Sequence, residues 1–589
     1  MGQYSRIYQK DGISGLYHAL NAKGFTGTYT GIGEYIRSRM ARISLNHTEP
    51  QHALLIAQAN KIYQEAVQKS DIHLLFHLIE NFPLGSFKED AFLALGDIYF
   101  SQGKMEEALG VWKRLQYLDK SKTRQFLNKR IALASFLYKD LESYSRLHAY
   151  VLDDFRFHQM EKASSSPEKK SYEMPFQWLS YRGNDARNLL MQGKDMRKGK
   201  RKVQNIPLPV SLPKDSAKFF PEPLVWNNKL FYCTPAGGYC LSLARKRLLW
   251  RYEFADFVPA PKSEPPLVHT GTIHNGRLYI VYPWDATQGN RIYCFDANTG
   301  ARLWQWPKET KPNTSFLYAP VIQDNNLFIS AKILTGQTNV ELFCLDISSS
   351  PVLRWQRFLG SILSSDILKK GKEAEPSGIS LCYGLVYCCT NLGVMAAVDS
   401  HNGEIRWITK YHEHLPKEYR LKGEERKNAI VGTPPVIRNG KVYAIPLDIG
   451  HLLVYDAFSG SLVKSFPDSI SESSLKNMIG VNSQDQVFLN TDREIFCLAN
   501  QGQQEVLWSV TLPDLIEGTG VLTSHWIYIF TKDEYLYQIS TKTGSFYRIS
   551  NSPISKSLPT DCVSIITWEQ QGKQNIVLSG AEISFWQIE

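Results

Sequence analysis

The chain has 589 residues, which is too long for one ordinary hydrophobic core, so we expect at least two domains. Its 43% hydrophobic and 12% aromatic residues exclude a chain that is disordered throughout. The net charge of +10 is small for this length, so it favours anionic neighbours but does not indicate specific nucleic-acid binding.

The sequence gives little information on the cellular compartment. It contains no run of about 18 apolar residues, so it predicts no transmembrane segment. The start, MGQYSRIYQKDG, lacks the apolar region of a signal peptide. Either the protein is cytosolic, or a leader precedes this sequence.

The first third of the chain is predicted to be helical after an N-terminal segment, residues 1–49, whose order the sequence does not decide. Residues 50–160 are rich in helix formers, and LGDIYFSQGKMEEALGVWKRL is the most informative stretch. Relative to Gly96, Tyr99 lies three residues on, Ala108 twelve on and Trp112 sixteen on. These offsets resemble a tetratricopeptide (TPR) repeat, in which small residues let paired helices approach each other. The neighbouring stretches match loosely, so a plain helical bundle is the alternative.

Residues 161–175 are predicted to be a linker, because EKASSSPEKKSYE is polar and rich in serine and lysine. The basic tract KDMRKGKRK, residues 194–202, follows shortly after it. We interpret the tract as a solvated surface segment, with a weak contact to an anionic polymer as the alternative.

From residue 176 to 589 the sequence repeats a tight turn followed by a strand that ends in an aromatic residue. In DANTGARLW, residues 296–304, the aspartate opens the turn and the glycine four residues on takes a positive φ. The tryptophan eight residues on ends the returning strand. The signature recurs, complete or in part, at Asp296, Gly300 and Trp304, at Asp399, Gly403 and Trp407, at Asp456 and Gly460, and at Trp355, Trp508 and Gly544.

A second hairpin precedes each copy, as in TIHNGRLYIV and VIRNGKVYAI with their Asn-Gly turns. Each repeat therefore has four strands, and we count eight repeats, spaced about 40–60 residues apart as propeller blades are. The sequence predicts a multidomain α plus all-β protein, in which a β-propeller of eight four-stranded blades follows the helices. The tryptophans are expected to wedge between blades, and seven blades are the alternative.

The pattern D-x-x-x-G-x-x-x-W resembles the tryptophan-docked repeat of the quinoprotein (PQQ-like) propeller superfamily. The stretch FQWLSYRGNDARN, with Trp178, Gly183, Asn184 and Arg187, is similar to the segment that often precedes such propellers. Helical repeats followed by this propeller resemble a bacterial envelope family. The propeller is also similar to the lipoprotein scaffold of the outer-membrane barrel assembly machinery. The resemblance implies the periplasm or cell envelope, and it allows both dehydrogenases and cofactor-free scaffolds.

Two clusters of residues are candidate sites of chemistry. Some dehydrogenases of this superfamily use a disulfide between adjacent cysteines, and Cys388 and Cys389 are adjacent. They lie in a predicted strand, where neighbouring side chains point to opposite faces, so we do not expect a functional disulfide. The insertion at residues 409–429 contains His412-Glu413-His414 without the helical HExxH spacing of a zinc site. It is predicted to be a solvated loop or a contact with a partner.

No catalytic, cofactor-binding or metal-binding constellation is recognised in the sequence. We therefore predict a non-enzymatic protein-interaction scaffold that binds an unidentified protein partner and needs no cofactor. The alternative is a dehydrogenase that depends on PQQ and calcium. Such an enzyme would hold PQQ over a tryptophan, bind Ca²⁺ through carboxylate and amide oxygens, and use an aspartate as base.

Overall fold

A computed structural model of the full-length chain gives the architecture. It describes residues 17–19, 28–31, 50–82, 85–118, 124–137, 184, 187, 201–207, 219–234, 237–254, 267–282, 290–309, 312–335, 337–363, 377–411, 433–446, 449, 451–466, 475–482, 484–499, 505–549, 564–570, 573–579 and 582–588. The chain divides into two compact units. The first comprises residues 1–174 with 382–385 and 398–408, and the second comprises 175–381, 386–397 and 409–589.

The described part of the first unit is mainly helical. Its helices are α1 (Pro50–Lys69), α2 (Ile72–Asn81), α3 (Gly85–Ser101), α4 (Met105–Leu118) and α5 (Arg124–Leu137). Asp71 caps α2, because its carboxylate accepts hydrogen bonds from the backbone N–H groups of His73 and Leu74 at 2.9 and 3.1 Å. None of the described helices has the length and apolarity that crossing a lipid bilayer requires.

Helices α3 and α4 pack tightly against each other. A Cβ at Gly96 would lie 2.1 Å from the indole nitrogen of Trp112, so only glycine allows the approach. Ala108 and Trp112 are buried, and Tyr99 is 7% exposed. Gly103, at φ +77°, makes the turn between the two helices.

The strands, of which the first two precede the helices, are mostly short and antiparallel. Those up to residue 410 are β1 (Tyr17–Ala19), β2 (Thr28–Gly31), β3 (Arg201–Pro207), β4 (Phe219–Pro221), β5 (Leu224–Trp226), β6 (Lys229–Thr234), β7 (Gly237–Ser242), β8 (Arg247–Glu253), β9 (Leu267–His269), β10 (Thr272–His274), β11 (Arg277–Tyr282), β12 (Arg291–Asp296), β13 (Arg302–Trp306), β14 (Thr314–Gln323), β15 (Asn326–Leu334), β16 (Gln337–Asp346), β17 (Val352–Leu363), β18 (Ile379–Cys382), β19 (Leu385–Cys389), β20 (Val394–Asp399) and β21 (Ile405–Lys410).

The remaining strands continue the same alternation of strand and turn. They are β22 (Val436–Arg438), β23 (Lys441–Ala444), β24 (Leu452–Asp456), β25 (Leu462–Phe466), β26 (Asn477–Val481), β27 (Val487–Asn490), β28 (Glu494–Leu498), β29 (Val506–Thr511), β30 (Ile516–Leu522), β31 (Trp526–Thr531), β32 (Leu536–Ser540), β33 (Phe546–Arg548), β34 (Ser564–Gln570), β35 (Lys573–Ser579) and β36 (Glu582–Ile588).

These strands build a β-propeller. Among the described residues it has seven four-stranded blades, namely β5–β8, β10–β13, β14–β17, β22–β25, β26–β29, β30–β33 and a sheet ordered β3-β36-β35-β34. The prediction of eight four-stranded blades is therefore not supported. The repeat at residues 379–410, which the sequence count took as one more four-stranded blade, contributes β18–β21 to a six-stranded sheet ordered β1-β2-β21-β20-β19-β18. Counting repeats missed this because β1 and β2 come from the N-terminal segment and carry no copy of the signature.

The sheet β3-β36-β35-β34 joins the two ends of the second unit. Strand β3 pairs with β36 from Arg201–Ile588 to Pro207–Glu582. The end of the basic tract at Arg201 and Lys202 is therefore part of a strand, and the rest of the tract lies outside the described residues. The interpretation of the tract as a solvated surface segment rests on its run of charges, and that run gives no sign of the strand in which its last two residues lie.

Neighbouring sheets of the second unit share apolar cores. The core between the sheets β26–β29 and β30–β33 contains side chains of both, including Phe488, Cys497, Ile527 and Ile539. A four-stranded sheet with two apolar faces is thus buried only between two neighbours.

Candidate functional site

The turn aspartates of the repeat use their oxygens within their own turns. Asp296 Oδ1 accepts hydrogen bonds from the backbone N–H groups of Asn298 and Thr299 at 2.9 and 2.8 Å, and from the Thr299 hydroxyl at 3.0 Å. These bonds, led by the one from the Thr299 N–H, hold the pKa of Asp296 below its usual value. Gly300 follows at φ +75°. An aspartate engaged in this way organises the turn and is poorly placed to act as a base.

The other predicted turns share this geometry. Asp456 accepts from the Ser459 N–H at 2.8 Å and Asp399 from the His401 N–H at 3.0 Å, while Gly403, Gly460 and Gly544 have φ values of +72°, +68° and +72°.

Two of the tryptophans, Trp250 and Trp508, link their sheet to a turn of the next sheet. Trp250 lies over Gly300, where a Cβ would be 2.7 Å from the indole ring, and its Nε1 donates to the Ala297 carbonyl at 3.1 Å. Trp508 makes the same contact with Gly544 in the following sheet, and its Nε1 donates to the Thr541 carbonyl at 3.0 Å. The indole therefore requires glycine in the turn it covers. Of the other predicted positions, Trp407 is 1% exposed, and the buried Nε1 atoms of Trp304 and Trp355 have no hydrogen-bond partner among the described residues.

Four buried cysteines lie opposite these tryptophans. In register, Cys240, Cys294, Cys344 and Cys497 pair with Trp250, Trp304, Trp355 and Trp508. Burial raises the pKa of each of these four thiols to about 12, so they are neutral packing groups. Each of these cysteines is therefore a small core residue that packs beside a tryptophan.

Asp399 is the exception among the turn aspartates, because it belongs to the first unit and is buried. Its Oδ2 lies 2.7 Å from Arg406 Nη2 and 3.7 Å from Nη1 of Arg114 on α4. Burial alone would raise the pKa of Asp399, but the attraction of Arg406 and Arg114, together with hydrogen bonds from Arg406 and the His401 N–H, outweighs it and lowers the pKa to about 2. Asp399 is therefore a fixed anion within the first unit.

Two further contacts involve the turn after Asp399. The His401 ring stacks on Phe76 of α2 at 4.1 Å between centroids. Asn402 Nδ2 donates to Glu80 Oε1, also on α2, at 2.7 Å. These contacts occupy one side of α2 and α4, so a partner-binding surface on the helices must lie elsewhere.

An open cleft lies on the other helices of the first unit. Its volume is about 350 Å³. Helix α1 contributes Tyr63 and Val67, α5 contributes Arg130, and α3 contributes Asp90, Leu93, Ala94, Asp97, Ile98 and Ser101. We call this cleft the α1–α3–α5 groove.

Carboxylates outnumber basic groups in the α1–α3–α5 groove. Asp97 forms a two-pronged ion pair with Arg130, at 2.7 and 2.9 Å. Asp90 lies two turns earlier on the same face of α3, and partial burial raises its pKa. The pKa of Tyr63 is also raised, by burial and then by Asp90 and Asp97. One arginine thus faces two carboxylates, which leaves the groove acidic among its described lining residues.

The segment expected to precede the propeller is described at two positions only. Arg187 is 2% exposed, at φ +59°, and its Nε donates to the Ile379 carbonyl at 3.3 Å. Asn184 accepts the backbone hydrogen bond of Arg187 through its carbonyl. Trp178 and Gly183 lie outside the described residues.

Within the described residues, no group of three or more His, Cys, Asp or Glu side chains is arranged to hold a metal ion. Cys388 and Cys389 are buried free cysteines in β19, and burial raises the pKa of Cys388 to about 12. Cys389 Sγ contacts Asn391 Oδ1 at 3.5 Å. The His412-Glu413-His414 cluster lies outside the described residues.

Sequence reasoning missed the α1–α3–α5 groove and the partners of Asp399. The spacing of Asp90 and Asp97, which places both on one helical face, was a usable signal for the groove. No local signal connected Arg114 with Asp399, because the two residues meet only through tertiary packing.

Comparison with known proteins agrees with the propeller. Residues 288–550 match the model of the PQQ_2 family, described as outer membrane protein assembly factor BamB. No curated protein gives a significant match to the chain.

Solved structures match at low identity. A quinohemoprotein alcohol dehydrogenase from Comamonas testosteroni is 12% identical, with a TM-score of 0.49 over 70% of this chain and 80% of that one. One from Pseudomonas putida HK5 gives the same identity, TM-score and coverage of both chains. BamB from Moraxella catarrhalis is 16% identical, with a TM-score of 0.43 over 66% of this chain and all of that one. The predicted resemblance to PQQ-like propeller proteins is therefore confirmed by the family match over residues 288–550.

Proposed function

We propose that the protein is a non-enzymatic scaffold that holds an extended segment of a partner protein in the α1–α3–α5 groove. The observation that carries the proposal is the open cleft of about 350 Å³, which combines apolar walls with a net acidic charge. Val67, which is 42% exposed, and the half-buried Leu93 offer an apolar surface to a partner side chain. Asp90 offers a carboxylate to a lysine or arginine nearby on the same segment.

The domain organisation belongs to this proposal. We take α3 and α4 as a TPR-like pair within a helical domain of residues 50–160, since Gly96, Ala108 and Trp112 close the contact between the two helices. Residues 161–175 are proposed as the linker and 176–589 as the PQQ-like propeller. In TPR-like domains the helices alternate between two sides of the array, which is consistent with a groove built from α1, α3 and α5.

The cell envelope is the proposed place of action. The support is the description of the matching family as an outer membrane protein assembly factor. The proposed partner is therefore an envelope protein with a segment of mixed apolar and basic side chains.

The proposal is tested by affinity capture with the full-length chain. Asp90→Arg reverses the free charge of the groove, and Glu65→Arg is the matched control, because Glu65 is exposed on α1 outside the groove. We expect the partner captured by the parent chain to bind the Asp90→Arg variant at least about tenfold more weakly, since about 1.4 kcal/mol corresponds to that factor. The control should bind as the parent does. Equal binding by all three proteins contradicts the groove as the site.

Adding PQQ and Ca²⁺ to the full-length protein distinguishes the scaffold from the alternative function, a quinoprotein dehydrogenase. The scaffold proposal expects no thermal shift and no PQQ absorbance that co-elutes in gel filtration. Stabilisation with co-eluting absorbance contradicts it and favours a quinoprotein dehydrogenase.

A further inference from the structure

The outermost strands of the propeller sheets differ in whether they carry charged residues, and this difference bears on association. In the sheets that end in β8, β13 and β29, this outer strand is the most exposed of the four. Such an edge presents backbone hydrogen-bonding groups that another strand can use, and charged residues normally protect it. The outer strands with arginine or lysine are β3 (Arg201, Lys202), β8 (Arg247, Arg251), β13 (Arg302), β17 (Arg354, Arg357), β25 (Lys464) and β33 (Arg548).

Strand β29 departs from this rule. Its sequence, VLWSVT, has no charged residue, no glycine and no proline. Exposed and half-buried residues alternate along it, so Leu507, Ser509 and Thr511 form one exposed strip, and Leu507 is 37% exposed. On the other face Trp508 and Val510 pack into the core shared with the next sheet. Among the outer strands of the four-stranded sheets that the structure describes, β29 is the one whose sequence does not oppose strand addition.

The chain itself shows that the last strand of one repeat accepts another strand. Strand β2 lies beside β21, the strand that occupies the outer position in its repeat. The two backbones approach so closely that a Cβ at Gly31 would lie 2.1 Å from the Ile405 carbonyl oxygen. The added strand, TYTG, is uncharged. Strand β21 buries Ile405 and Trp407 to 2% and 1% exposure, in contrast to Leu507 of β29.

We propose that two copies of the chain associate through antiparallel pairing of β29 with β29. In a two-fold arrangement each residue meets a residue of the same strand, so an edge is self-complementary only where no like charges are brought together. VLWSVT meets this condition, since it sets apolar and hydroxyl side chains opposite one another. The same pairing at β8, β17 or β25 would bring arginines or lysines to the shared edge. This interface is independent of the α1–α3–α5 groove.

The contact between two β29 strands is small. One six-residue strand pair buries less than the roughly 1,600 Å² of a standard stable interface. The dimer is therefore weak and forms in a concentration-dependent way, joining two four-stranded sheets into one of eight strands.

Sedimentation velocity of the full-length protein tests the inference. Over about 1 µM to about 100 µM, where interfaces below standard size dissociate, we expect the weight-average mass to rise toward that of a dimer. Ser509→Lys should weaken the dimer at least about tenfold, because it puts like charges across the pair. Gln305→Lys on β13 adds the same charge to a different edge and should leave the dimer unchanged. Both positions lie on exposed outer strands, so thermal unfolding should show that both variants fold.

Cross-linking locates the contact. The parent chain's own cysteines, among them the partly exposed Cys382, set the background of labelling by a short bismaleimide, so each variant is compared with the parent. The Ser509→Cys variant should form a covalent dimer above the level of the parent chain, and the Gln305→Cys variant should not. The proposal is overturned if the parent stays monomeric throughout, if Ser509→Lys dimerises like the parent, or if both cysteine variants cross-link equally.

Discussion

Gly300 and Gly103 have nearly the same backbone angle in very different surroundings, with φ values of +75° and +77°. A Cβ at Gly300 would lie 2.7 Å from the Trp250 indole, whereas a Cβ at Gly103 would meet nothing within 4 Å. Gly103→Ala should therefore cost only the left-handed backbone term, about 1 kcal/mol. Gly300→Ala should cost that term plus about 1–3 kcal/mol for displacing the indole. Urea unfolding of both variants measures the difference, and equal losses would contradict tryptophan docking as a source of stability.

Asp399 should matter more to stability than the other aspartates of the repeat. Asp399→Asn removes the carboxylate that Arg406 and Arg114 share. Breaking a buried ion pair costs about 3–5 kcal/mol, and Glu404, 3.9 Å from Arg406 Nη1, offsets part of this loss. Asp296→Asn is the matched control, because asparagine also accepts turn hydrogen bonds at that exposed position, and it should cost less than about 1 kcal/mol. Chemical denaturation of the two variants measures both losses of unfolding free energy. Similar losses would mean that Asp399 is only another turn residue.

The pH dependence of stability provides a second readout for Asp399. Its pKa is about 2 in the folded protein, against about 3.9 in an unfolded chain. A lowered folded pKa stabilises above the unfolded value, and that contribution is lost as the pH falls through the folded value. The stability advantage of the parent chain over Asp399→Asn should therefore shrink between about pH 4 and pH 2. An advantage that stays constant over this range would show that the charge is not its cause.

The sequence predicts the turns better than it predicts what surrounds them. The aspartate and glycine of each copy act within five residues, so spacing alone places Asp296 and Gly300 in a turn of the observed kind. The same spacing at Asp399 contains no sign of Arg114, because α4 and the turn come together only in the folded unit. The acidic α1–α3–α5 groove is hidden for the same reason, since it depends on which helical faces meet.

At the scale of elements, β1 and β2 are the clearest departure from the pattern of the repeats. They pair with each other from Tyr17–Gly31 to Ala19–Tyr29, and β2 extends the sheet beyond β21. Removing residues 1–31 should expose the edge of β21 and raise amide hydrogen exchange at residues 405–408, because edge amides lose their protection. Exchange in β28 should stay as in the parent chain. Unchanged protection at residues 405–408 would contradict the pairing of β2 with β21.

Strand β3 shows why element assignment from sequence was incomplete. Its sequence, RKVQNIP, has two charges, an asparagine and a proline, and these favour a loop over a strand. It forms a strand because β36 offers it a continuous edge, which is a property of the distant C-terminus. The hairpins at Asn275-Gly276 and Asn439-Gly440 were predictable because turn and strands are adjacent in sequence.

At the scale of the whole molecule, the pairing of β3 with β36 closes the second unit, and a cross-link there should stabilise far more than one inside a hairpin. Asn205 and Ser584 are register partners across that closure, and Glu569 and Gln574 are partners within the β34–β35 hairpin. A disulfide between Asn205→Cys and Ser584→Cys closes a loop of several hundred residues and is worth about 6 kcal/mol by chain entropy, as an upper bound. The same bond between Glu569→Cys and Gln574→Cys closes only a short loop and is worth about 2 kcal/mol.

Comparing oxidised with reduced protein in guanidinium unfolding isolates the gain in stability from each disulfide. A larger gain at the closure means that the two ends of the unit separate when it unfolds, whereas equal gains would mean that β3 and β36 stay together in the unfolded chain and do not limit its stability.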